Sequence, residues 1–402
     1  EDETTEEAAI GHELSSDSLL SHADRSLPSV MLGWHYRSRS EVLISYSNRA
    51  FYGGQLLTVP DERHLTAGLP ELAFASKPEA PEEQAAGPTH PTDGGDDPAP
   101  AKPEDLAPPP KDPISLGTQG VLDRPISFHY LTDGCYEKRR NRPEADYIAR
   151  LVRSLLLARK AAPTAAVVAG SIAIVAFSQA QQAEIESALE RLAGEDRDFA
   201  FALEQELDRE DDGEFVGLLV KNLENIQGDE RDTVILSVCY GPDADRKVRM
   251  NFGPINLGGG EKRLNVAFSR AKHRMEVVSS MRGGEITNDY NVGAAALKGY
   301  LQFAERCSTG DRAGMDLVLR GMDADGNSAE APAAPAPLQS LARALQQRGY
   351  VADLGVGHSS FQCDLAIRLP DQPNYLLAVL WDGSMDADGA DPLQHEVHQP
   401  GL

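Results

Sequence analysis

The sequence predicts an α/β fold built on a mostly parallel sheet flanked by helices. Three observations lead there. Short runs such as SIAIVAF (171–177) and TVILSVCY (233–240) are apolar at nearly every position, as in strands covered on both faces. Stretches of helical period with one apolar face lie between such runs. The two kinds alternate along the chain, the order of a repeating βα sheet.

Taken in order, residues 1–26 are acidic and serine-rich and read as loop and short helix. EVLISYSNRAFY (41–52) places Val42, Leu43, Tyr46 and Ala50 on one helical face, and Gly53 and Gly54 stop it. Residues 71–118 are dominated by Ala, Pro, Glu, Asp and Gly, too few apolar groups to repay ordering. They read as a flexible acidic insertion within one domain spanning 27–320. PISFHYL (125–131) reads as a strand. The next helix has a clear start: Asn141 as cap, Pro143 in the first turn and Glu144 to complete a capping box. Its face is Ile148, Leu151, Val152, Leu155 and Leu156. QAQQAEIESALERLA (179–193) is a helix, GLLVKNL (217–223) a strand, and KRLNVAFSRAK a helix feeding the strand MEVVSS. An Ala/Pro linker covers 321–337. Beyond it, 338–402 opens with a helix carrying Leu338, Leu341 and Leu345 on one side. The strands FQCDLAIRL and YLLAVLW and a polar tail follow.

The 402 residues carry a formal charge of −25, which argues against a surface coated in basic groups for nonspecific nucleic-acid binding. A narrow basic channel stays compatible with it. No run approaches eighteen apolar residues, so no membrane span is expected. Cys135, Cys239, Cys307 and Cys363 are scattered, without metal spacing, and fit a reducing, cytoplasmic setting. The chain begins EDETTEE, not a signal peptide, and reads as one whose true start lies upstream.

Three segments hold groups suited to chemistry. ENIQGDERDTVILS (224–237) leads a polar loop with Gln227, Gly228 and Glu230 into a buried strand. Sites in α/β sheets gather at strand-end crevices, although the same letters describe an ordinary polar turn. EKRLNVAFSRAKHRM (261–275) sets Arg263 and Arg270 seven apart, nearly on one helical side. An arginine held rigidly suits a γ-phosphate, because its fork of donors stabilises charge spreading over the phosphoryl oxygens; a solvent-facing basic stripe would look alike. LGWHYRSRSEVL (32–43) follows Trp34 and Tyr36 with Arg37 and Arg39, either a braced arginine site, an aromatic surface for bases or core packing with exposed arginines. GxxxxGK[ST] is absent. NLGGGEK (256–262) and the glycines around 354–360 lack its spacing. This chain alone is therefore expected not to bind ATP tightly or hydrolyse it efficiently.

In order, HYRSRSEVLISYSNRAFYGGQL, NRPEA, SIAIVAFSQAQQAEIE, ENIQGDERDTVILS and RLNVAFSRAK resemble the motifs of the second RecA-like domain of superfamily 1B DNA/RNA helicases. The closest group is that of the RNA-surveillance helicase, and the resemblance covers roughly 27–70 and 120–285. It implies that Arg37 and Arg270 are arginine fingers at the terminal phosphate. It implies that Glu230, with Gly228 and Gln227, couples the nucleotide site to motion, and that Arg263 supports from behind. ATP and Mg2+ would sit in a cleft against an upstream RecA-like domain that carries the phosphate-binding loop. Single-stranded DNA or RNA would cross both halves. The final segment resembles a restriction-endonuclease-like fold of the very-short-patch-repair type, with Asp364 at the metal-binding position. There the pattern is damaged: Leu380 replaces an expected Glu, while Asp382 and Gly383 remain. The alternatives are a noncatalytic nucleic-acid or protein interaction module, or a metal-dependent nuclease acting through this C-terminal domain.

Overall fold

The computed structural model describes residues 27–28, 30–64, 69, 124–161, 170–322 and 334–381. The predicted N-terminal segment, the acidic insertion, most of the Ala/Pro linker and the polar tail with Asp382 lie outside the described residues.

The strands predicted from apolar runs form one sheet. β1 (Ile126–Tyr130), β2 (Ile172–Ala176), β3 (Leu219–Asn222), β4 (Arg231–Ser237) and β5 (Ala271–Ser279) lie in the order β1-β5-β4-β2-β3, and every pairing is parallel. Parallel neighbours need crossovers, and helices supply them. Side chains alternate between two apolar layers. Val234 and Leu236 of β4 face α1 (Val42–Tyr52), α5 (Gly260–Phe268), α6 (Val292–Thr309) and α7 (Arg312–Arg320). Ile235 faces the opposite way, toward α2 (Arg142–Ala161), α3 (Gln179–Glu195) and α4 (Arg197–Leu207). The α/β class with helices on both faces follows directly from the uninterrupted apolar strands.

One cluster fixes α1 against its layer. Tyr46 donates its hydroxyl to the Ala296 carbonyl at 2.6 Å, and the Phe268 and Tyr300 rings stack nearly parallel. Gly299 is needed here, because a Cβ would stand 2.6 Å from the Tyr46 hydroxyl. A second buried set crosses β1 and β5: His129 Nε2 meets Glu276 Oε2 at 2.9 Å, and His129 Nδ1 meets the Tyr147 hydroxyl at 2.6 Å.

The predicted capping box is half formed. Asn141 does cap α2, its Oδ1 accepting from the Glu144 amide at 3.3 Å. Glu144 does not reach back, because the Asn141 amide donates to Gln181 Oε1 at 2.6 Å. Its buried carboxylate accepts instead from the Ser237 hydroxyl and the Cys239 amide, both at 2.8 Å, and from the Ser280 hydroxyl at 3.3 Å. Burial pushes the Glu144 carboxyl up to about 8 against these hydrogen bonds, which pull it down.

The C-terminal module is an antiparallel sheet of β6 (Val351–Val356), β7 (Cys363–Arg368) and β8 (Tyr375–Val379) under α8 (Ala336–Gln346). Its small core is Leu338, Ala342, Ala352, Leu365 and Ile367. Leu341, predicted on the inner side, faces outward and Ala342 takes its place, since the sheet meets the 338/342/345 stripe. The described ends of the long excursion between α1 and β1 meet at one point: Leu69 donates its amide to the Thr309 carbonyl, and Arg124 reaches the Ser308 hydroxyl. Among the described residues, no helix is long and apolar enough to cross a membrane.

Candidate nucleotide-facing site

β4 and β5 are neighbours, and Arg231 pairs with Ala271 at their starts. The residues just before each strand, Glu230 and Arg270, therefore emerge side by side at one end of the sheet. A third segment, the arm Trp34–Ser40, is laid along the start of β5. The Arg39 amide donates to the Lys272 carbonyl at 2.7 Å, and the Ser38 hydroxyl donates to the Ala271 carbonyl at 3.1 Å. The arm is steadied from behind by the Trp34–Leu57 bridge.

Together these elements bring three of the sequence-nominated residues to one place, with Arg37 paired to Glu230 and Arg270 close enough to feel the charge of both. Arg37 donates Nε to Glu230 Oε2 at 2.7 Å and Nη1 to the Ser269 carbonyl at 3.1 Å. Arg270 donates Nε to the Val266 carbonyl at 2.8 Å and Nη1 to the Asp229 carbonyl at 3.4 Å. Neither Arg37 Nη2 nor Arg270 Nη2 donates a hydrogen bond among the described residues. Glu230 also pairs with Lys272 at 3.0 Å. Hydrogen bonds from Arg37 and then Lys272 hold the Glu230 carboxyl below its ordinary range. Burial, then the adjacent Arg37 charge, lowers Arg270 from the usual arginine value, with Glu230 opposing. The three cations Arg37, Arg270 and Lys272 thus crowd one carboxylate, a local excess of positive charge in a chain that is acidic overall. Ion pairs this exposed contribute little to stability; what they fix is the direction of the guanidinium forks.

The cluster sits at the amino ends of β4 and β5, because the motif loops precede those strands. One expectation about this region needs correction. Arg270 was placed on the helix face of Arg263. α5 ends at Phe268 with Ser269 as its cap, so Arg270 lies beyond the helix and folds back onto its last turn. Arg263 points instead toward the start of α5, where its Nη1 is 3.8 Å from a Cβ placed on Gly259. Among the described residues it shares no hydrogen bond with Arg37, Glu230 or Arg270.

The loop ahead of β4 turns on Gly228, whose φ of +94° is the left-handed region that favours glycine; open space surrounds the position a Cβ would take. The turn, not a close approach, calls for this glycine. Buried Ile226 anchors the loop and leaves Gln227 exposed beside it. Sequence reasoning missed Lys272, although its spacing of two from Arg270 at a strand start puts both on one side. Asp229 of the same loop offers its carbonyl to Arg270 and its carboxylate to Lys221.

In the C-terminal module, Asp364 Oδ2 accepts the Trp381 amide at 2.7 Å, and no group of three or more His, Cys, Asp or Glu is placed to hold a metal among the described residues. Asp382 lies outside them. The described side chains beside Arg37 and Arg270 are mostly cationic and do not fit Mg2+.

The sequence matches the AAA domain family over residues 15–282. A Mycoplasma genitalium protein named as an uncharacterized ATP-dependent helicase is 33% identical over 199 residues, 48% of this chain and 16% of that protein. Its Mycoplasma pneumoniae homologue is 34% identical over 200 residues, 47% of this chain and again 16% of the relative. The chain thus spans a small part of the length of these relatives. Since the family match takes in the arm, both motif loops and all five parallel strands, well over half of the sequence, this chain belongs to the AAA domain family.

Proposed function

We propose that this chain is the second motor half of an ATP-dependent DNA or RNA helicase. The observation that supports it most is the meeting of Arg37 and Arg270 around Glu230, each guanidinium with a donor to spare. ATP, when bound, supplies the terminal phosphoryl group toward which those donors would be directed. As negative charge spreads over its oxygens, the two planar forks stabilise it where a single hydrated cation would do so less well. Glu230 keeps Arg37 aimed, and the Gln227–Gly228 turn carries movement of the loop into β4. Arg263 lends positive charge from the start of α5. The phosphate-binding loop and the Mg2+ ligands belong to an upstream RecA-like domain, and single-stranded nucleic acid is the partner gripped and released as the halves close and open.

The test uses a longer protein that includes the phosphate-loop half. Nucleic-acid-stimulated ATP hydrolysis is compared before and after Arg270→Ala. A loss of about a thousandfold is expected of an arginine finger, and an unchanged rate sinks the assignment.

A further inference from the structure

The glycine-rich stretch between β6 and β7, which lacks the spacing of a phosphate loop, wraps a carboxylate of the chain itself. Glu41, at the end of the arm and 4% exposed, turns one oxygen to the Thr58 hydroxyl, the His358 amide at 2.7 Å and the Ser359 amide at 3.1 Å. Gly357 makes the wrap possible, with φ of +138° and a Cβ position only 3.2 Å from Pro60 Cγ and the Phe361 carbonyl. Successive backbone amides converging on one oxygen form the concavity that elsewhere holds anions.

The contact is part of a seam. Ser359 Oγ accepts the Thr58 amide at 3.1 Å, Trp34 meets Phe361 edge to face, and the His64 and Tyr375 amides cross to the Pro373 and Glu62 carbonyls. The module therefore grips both flanks of the arm whose centre is Arg37. On its other side the arm is tied to the start of β5 through Ser38 and Arg39, and to Glu230 and the Ser269 carbonyl through Arg37 itself.

We propose that Glu41 is a positioning residue, through which the C-terminal module sets the aim of Arg37; this rests on the arginine reading given above. The module is then a brace on the motor, and a ligand that shifts the Gly355–Phe361 loop would alter turnover.

The experiment measures kcat and KM for ATP in the longer hydrolysing protein, for Glu41→Gln, Arg37→Ala and the pair together, with thermal unfolding as a check on folding. Glu41→Gln is expected to lower kcat about tenfold at nearly constant KM, since small misplacements of a catalytic group are costly. In the Arg37→Ala background the same change is expected to cost less than about twofold, because coupled residues are not additive. A merely structural role would give the same loss in both backgrounds, and that result overturns the brace. Loss with Arg37→Ala but none with Glu41→Gln overturns the brace alone. No loss with Arg37→Ala overturns the arginine reading and the brace with it. Should Glu41→Gln fail to fold, Ser359→Ala, which removes the acceptor for the Thr58 amide, is put through the same cycle with the same criteria.

Discussion

Arg37 and Glu230 are 193 positions apart in the chain and 2.7 Å apart in space. Nothing local to either residue requires the contact. It exists because the arm runs beside β5 while the loop ahead of β4 ends next to it, so the pair reports whether three separate segments are in register.

Removing Glu230 should therefore do more than remove one charge. In Glu230→Ala, Arg37 and Lys272 lose their shared partner while Arg270 stays nearby, so the carboxylate that aims Arg37 is gone and the local positive charge rises. ATP hydrolysis by the longer protein is expected to fall at least about tenfold through loss of aim. Unfolding temperature should change little, because the pairs are substantially exposed. Steady-state kinetics alongside a thermal melt separates the two.

Arg270→Lys keeps the charge and loses the fork. A lysine cannot satisfy the Val266 and Asp229 carbonyls and still present a planar donor outward. Its turnover is expected to stay within about tenfold of Arg270→Ala, far below the wild type. Near-full activity of the lysine variant would show that charge alone suffices.

Glu144 gives a pH dependence of folding. Its folded value of about 8 lies above the ordinary 4.5, so between these values the native state holds a proton that the unfolded chain has released. The associated stability is complete below about pH 4.5, declines as pH rises, and is gone above about 8, with a slope of up to about 1.4 kcal/mol per pH unit. In Glu144→Gln this contribution should vanish. Denaturant midpoints for both proteins from pH 5 to 9 test it, and parallel curves would contradict it.

His129 and Glu276 are fully buried partners. Glu276→Leu alone leaves the imidazole without its acceptor and is expected to cost on the order of 3 kcal/mol. Replacing both by leucine should restore part of that, since two desolvated polar groups are then removed together. Equilibrium unfolding of the single and double variants decides it, and a double variant weaker than the single would reverse the argument.

The sheet was legible because its strands are apolar on both faces, a property each run carries by itself. Arg37, Glu230 and Arg270 were nominated by motif resemblance and order; their hydrogen bonds were not legible, because a pair such as Arg37 with the Ser269 carbonyl depends on the path of the backbone. Arg270 was misplaced onto a helix because LNVAFSRAK keeps helical spacing beyond the point where the chain turns into β5. Glu144 was read as half of a capping box from its distance to Asn141, whereas Gln181, far along the chain, takes the amide that the box needed. The seam at Glu41 left no trace in either segment: a glutamate before a helix and a run of glycines are each ordinary alone.

The excursion that leaves at Leu69 and returns at Arg124 departs from and rejoins neighbouring residues at the end of α6. Its two ends are thus held together by the fold, whatever number of residues joins them. The end of α6 therefore acts as a common anchor, tying the segment that follows the arm to the strand that opens the sheet.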